Sequence, residues 1–169
     1  MRCFVAIDVG INEAIAAMIN DVRMMGKPVE GENIHLTLKF LGEVEDTKKI
    51  EEKLAEIRFG RFSLTLKGLG AFPDKKRARI LFLNALPPER VSELASLVHE
   101  KTSWIPIDHP FSPHITILRI KGERDISSFI SRYDTMVFGN IEVTSFHLYR
   151  SVLTHSGPVY TVIRSYQLI

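Results

Sequence analysis

Asn33-Ile34-His35-Leu36-Thr37-Leu38 and Ser112-Pro113-His114-Ile115-Thr116-Ile117 carry one pattern twice: histidine, apolar residue, threonine, apolar residue. With six histidines and nine threonines in 169 residues, roughly 0.3 His-x-Thr triplets are expected by chance. Two copies with apolar flanks are a coincidence on the order of 10⁻³. In a strand, residues i and i+2 share a face. His35 and Thr37 therefore project together while Leu36 and Leu38 bury on the other side, and His114 and Thr116 do the same against Ile115 and Ile117. One copy alone would read as a half-buried edge pair. Two copies at matched places read as a site.

The matched places emerge on working outward. Apolar periodicity predicts strand 2–8, helix 12–25, strand 34–41, helix 46–57 and strand 62–69. The same order then recurs as strand 79–85, helix 88–101, strand 114–120, helix 125–133 and strand 141–149, with a last strand at 159–168. Gly26-Lys27-Pro28 reads as the stop of the first helix, and Asp46 as the N-cap of the second. The pairs 62–69/79–85 and 141–149/159–168 look like hairpins. Together these features predict an α+β fold that is bilobal and duplicated, with two antiparallel-rich sheets and flanking helices facing a central cleft. A single domain of two pseudo-symmetric lobes over 1–169 is expected.

Composition narrows the class. Lys+Arg number 22 and Asp+Glu 20, a net charge of +2. The surface as a whole does not declare a nucleic-acid binder, so any anion site must come from local clustering. The lone Cys3 leaves no internal disulfide and no cysteine-based zinc site. The run Phe4-Val5-Ala6-Ile7 stops at Asp8, too short for a signal-peptide core, and no stretch approaches the ~18–20 apolar residues that span a bilayer. A cytoplasmic protein with no membrane partner is expected.

If a pseudo-twofold relates the halves, both His–Thr pairs meet in one cleft. Two imidazoles can then serve as general base and general acid, since their ordinary pKa lies near neutrality. Two threonine hydroxyls can hold non-bridging phosphate oxygens. No metal or cofactor is expected, because the histidines lack a carboxylate or cysteine at ligand spacing. Lys39 shares the predicted face of His35 and Thr37. Lys75, Lys76, Arg77 and Arg79 form the densest basic cluster, placed to track an RNA backbone.

The chain resembles the 2H phosphoesterase superfamily, and most closely the bacterial and archaeal RNA 2′,3′-cyclic phosphodiesterases, also called 2′-5′ RNA ligases. The resemblance rests on Arg2-Cys3-Phe4-Val5-Ala6-Ile7-Asp8, the blocks 33–42 and 111–119, Phe72-Pro73, and the ending with Ser151, Leu153, Gly157-Pro158 and Tyr160. It implies His35 and His114 as the catalytic pair and Thr37 and Thr116 as substrate-binding residues. The reaction it implies is hydrolysis of a 2′,3′-cyclic phosphate to a 2′-phosphate end without metal, with 2′-5′ ligation as a reverse activity. The assignment leans to His114 as base and His35 as acid. Arg119 matches a family arginine five residues after the second histidine, which implies a contact with the phosphate or with an adjoining one, although strand parity turns residue i+5 away from His114 unless a bulge intervenes. Phe4 matches an aromatic that stacks on a terminal base. The expected partner is RNA with a cyclic phosphate end, or a related nucleotide, bound by a monomer. The alternatives are a non-catalytic RNA- or nucleotide-binding module and an enzyme acting on a small cyclic nucleotide.

Overall fold

A computed structural model describes residues 1–169. Nine strands and four α-helices run in the order β1 (Arg2–Asp8), α1 (Glu13–Val22), β2 (Gly26–Pro28), β3 (His35–Glu43), α2 (Lys48–Leu54), β4 (Phe62–Phe72), β5 (Ala78–Leu86), α3 (Pro88–Lys101), β6 (Ile115–Arg124), α4 (Ser127–Arg132), β7 (Val137–Val143), β8 (Ser145–Thr154) and β9 (Gly157–Gln167). They make two antiparallel sheets, one ordered β3-β1-β8-β9 and the other β2-β6-β5-β4-β7. No helix is long and apolar enough to cross a membrane. The duplicated α+β architecture is thus present, and the expected hairpins β4–β5 and β8–β9 both form.

Three departures from the expected pattern matter. The predicted strand 141–149 is two strands: β7 ends at Val143, β8 begins at Ser145, and the two lie in different sheets. Periodicity reads straight through Thr144 because it reports burial, not pairing partner. Second, each half gives away its third strand. β4 leaves β1 and β3 to join β5 in the other sheet, while β8 joins β1. The helices are exchanged too, with α1 against β6 and β7 and α3 against β3. One apolar core of 40 residues consequently runs through both halves. Third, Gly26-Lys27-Pro28 does not merely stop a helix. Helix α1 gives way to a 3-10 turn at Arg23–Met25, and the next three residues form β2 on the edge of β6.

Candidate active site

Strands β3 and β6 deliver the two motifs in the same way. His35 opens β3, and His114 sits one residue before β6. In both, the ring Nδ1 meets the backbone carbonyl two residues back: Asn33 O at 2.5 Å for His35, Ser112 O at 2.7 Å for His114. A carbonyl oxygen only accepts, so each ring carries its proton on Nδ1 and leaves Nε2 as the basic nitrogen. His35 Nε2 accepts from the Thr37 hydroxyl at 2.9 Å, whereas His114 Nε2 has no partner within the protein. Aromatic rings hold both imidazoles. Phe4 and Tyr160 lie at 5.0 and 5.3 Å from His35, and Phe72 and Phe82 at 4.8 and 5.5 Å from His114, measured between ring centroids.

Just past each threonine the strand carries a bulge, and the two bulges match. Opposite β1, Ala6 pairs with Thr37 and Val5 with Lys39, leaving Leu38 as the extra residue. Opposite β5, Phe82 pairs with Thr116 and Leu81 with Leu118, leaving Ile117 as the extra residue. A bulge reverses strand parity. The fifth residue after each histidine, Phe40 in one half and Arg119 in the other, therefore comes to the cleft side, and both are exposed there. The parity objection to Arg119 disappears for this reason.

The same reversal corrects the expectation for Lys39. It is only 4% exposed and points into the protein rather than the cleft. Its Nζ donates to Thr102 O at 3.0 Å, Thr102 Oγ1 at 3.0 Å and Ile105 O at 2.6 Å, and meets His99 Nδ1 at 2.9 Å. Burial pulls its pKa below the usual lysine value. Its place at the C-terminus of α3 suits a cation, because unpaired carbonyls and the helix dipole converge there.

One cleft of about 190 Å³ is lined by His35, Thr37, His114, Thr116, Arg119 and Tyr160, along with Phe40 and Lys27. Phe4, expected to stack on a base, is 4% exposed and lies against His35, Tyr149 and Tyr160, whereas Phe40 is 63% exposed. Burial holds the His35 pKa below the usual imidazole value. The Asn33 carbonyl and Asp8 oppose that shift, and the nearby His114 adds to it. Burial also raises Tyr160, which Arg119 partly offsets, and pushes Tyr149 up to about 12. In the basic cluster, Arg77 and Arg79 share the single carboxylate of Glu123, at 3.3 and 3.0 Å, which offsets one of the four charges expected to track RNA. No three His, Cys, Asp or Glu side chains are grouped as metal ligands.

Sequence reasoning passed over Asn33. It is buried, its backbone carbonyl anchors His35, and its side-chain amide donates to Pro158 O at 2.9 Å. It thereby ties the β8–β9 turn to the first motif. Its position two residues before the histidine, matched by Ser112 before His114, was the available signal.

The model of the family described as LigT like Phosphoesterase matches this chain twice in succession, over residues 5–82 and 83–160. The RNA 2′,3′-cyclic phosphodiesterase of Archaeoglobus fulgidus is 35% identical over 176 residues, covering 99% of this chain and 100% of that one. Among crystal structures, E. coli LigT in its apo form superposes with a TM-score of 0.79 at 30% identity, covering 99% of this chain and 96% of that one. E. coli LigT complexed with 3′-AMP gives 0.78 at 29%, covering 99% and 97%.

Proposed function

Because the chain belongs to the LigT-like phosphoesterase family, we propose that it hydrolyses a ribose 2′,3′-cyclic phosphate at an RNA or nucleotide end to a 2′-phosphate. His35 and His114 are the acid–base pair of this reading. As a water oxygen bonds to phosphorus, His114 Nε2 takes its proton. The bond from phosphorus to the 3′ oxygen breaks, and His35 delivers a proton from Nε2 to that oxygen. One proton is taken and one is given, so the pair ends with its charge transferred from His35 to His114. The depressed pKa of His35 makes its imidazolium a stronger donor to an alkoxide leaving group. Repulsion between the rings favours the state in which they share a single proton.

Thr37 and Thr116 donate to the non-bridging oxygens, where negative charge builds up. Substrate binding turns the Thr37 hydroxyl from His35 Nε2, where it rests in the free protein, to phosphate. Phe40, exposed at the cleft, is the platform for the terminal base, and Phe4 serves as a backing for His35. No step calls on a metal or cofactor. The reverse reaction, sealing a 2′,5′ linkage, follows from microscopic reversibility. One observation carries the reading: two imidazoles, one from each repeat, hang by Nδ1 from the carbonyl two residues back and line the same cleft.

The test is to map the end produced from a short RNA carrying a 2′,3′-cyclic phosphate, in excess chelator. A 2′-phosphate is expected. A 3′-phosphate would reverse the assignment of the leaving oxygen, and tight binding without turnover would leave a binding module.

A further inference from the structure

A row of residues crosses the second sheet from β6 through β5 to β4: Thr116 pairs with Phe82, and Phe82 with Gly70. Residues directly opposite one another share a face, so the row lies on the side where Thr116 lines the histidine cleft. The equivalent row in the other sheet is Thr37, Ala6 and His147. There the neighbour of the threonine is a methyl group. Here it is a benzyl group, set between Thr116 on one flank and Gly70 on the other.

The ring leans to the glycine. A Cβ on Gly70 would fall within 2.5 Å of Phe82 Cζ and Cε1 and 3.2 Å from Cε2, closer than carbon atoms pack. Gly70 is not among the glycines with positive φ, so its backbone makes no demand for glycine. The demand is for space beside the ring. From that seat Phe82 lies 4.5 Å from Phe72, and both rings pack on His114. The Ser112 carbonyl is the one hydrogen-bond partner that the protein gives His114. A single bond leaves the imidazole free to swing about the line from Nδ1 to the carbonyl oxygen, and the two rings close off that swing.

We propose that Gly70 is a positioning residue for the reaction: it seats the Phe82 ring away from Thr116, which keeps the space over that threonine open and His114 Nε2 aimed into the cleft. This rests on the reading of His114 as one of the acid–base pair. Because β5 lies between β4 and β6, a methyl group added to Gly70 pushes the ring off β4 and toward β6. The ring then crowds Thr116 and displaces His114. A misplacement of about 1 Å at a reacting group costs on the order of 10²-fold in rate.

The test measures kcat on a cyclic-phosphate dinucleotide for Gly70→Ala, Phe82→Leu and the double variant. Leucine lacks the Cε and Cζ atoms that the added methyl group would meet. Gly70→Ala alone is expected to lose about 10–100-fold in kcat. In the Phe82→Leu background the same change should cost less than about 2-fold, a coupling that a general weakening of β4 would not produce. Nitrogen NMR shifts of the imidazole in alkaline buffer should show His114 as the single Nδ1–H tautomer in wild type and as a mixture in Gly70→Ala. A wild-type kcat in Gly70→Ala, or an equal loss in both backgrounds, would overturn the proposal. If Gly70→Ala does not fold, a double variant that folds and turns over like Phe82→Leu supports it, and failure of both to fold overturns it. If wild type turns over no cyclic phosphate, the reading of the histidines fails separately. The His114 tautomer then decides the seat: a mixture in Gly70→Ala supports it, and an unchanged ring overturns it.

Discussion

At each imidazole the decisive bond runs from Nδ1 to a carbonyl two residues back, which fixes both tautomer and aim. Only the singly protonated pair can take one proton while giving another, so kcat/KM should trace a bell against pH. The acidic limb marks entry of the second proton. Burial of His35 and the charge of His114 both oppose that step, so the limb should fall below the ordinary imidazole value of 6.5. Titration of the rate on a cyclic-phosphate dinucleotide checks it, and a limb at or above 6.5 would contradict the burial argument. Asn33→Ala tests the support of His35. Losing the amide that holds Pro158 O leaves a part-buried acceptor without its donor, expected to cost about 0.5–1.5 kcal/mol in denaturant melts.

Among the elements, the paired bulges at Leu38 and Ile117 decide which side chains face the cleft. They bring Phe40 and Arg119 to the cleft and turn Lys39 inward, where it fastens the Thr102–Ile105 segment to β3. Lys39→Met is therefore expected to lower stability by about 2–4 kcal/mol, since two carbonyls lose a charged donor. Chemical denaturation measures this, and a neutral effect would mean that the segment finds water instead. The His–Thr motifs were legible from sequence because strand parity holds from His35 to Thr37 and from His114 to Thr116. Parity fails one residue later, at bulges that leave no trace in the alternation from Leu36 to Phe40, so Lys39 was misplaced. Strand β2 went unread because glycine and proline around Lys27 look like a helix stop. What selects strand there is the close approach to β6, a contact distant in sequence.

Over the whole molecule, exchange of β4 and β8 makes each sheet a product of both halves. A continuous core of 40 residues joins them, so calorimetry should show one unfolding transition, with van't Hoff and calorimetric enthalpies equal. Two transitions would mean that the lobes are independent domains. The exchange also explains how a cleft between repeats can hold two imidazoles in fixed relation: neither sheet can drift without pulling strands from the other half. The most direct test of that paired arrangement is the rate of cyclic-phosphate hydrolysis by His35→Ala and His114→Ala beside wild type, with RNA binding measured on the same samples. Each variant is predicted to lose about 10²–10⁴-fold in kcat while still binding RNA and losing one limb of the pH bell. A variant that keeps the wild-type rate, or both limbs, would contradict the account.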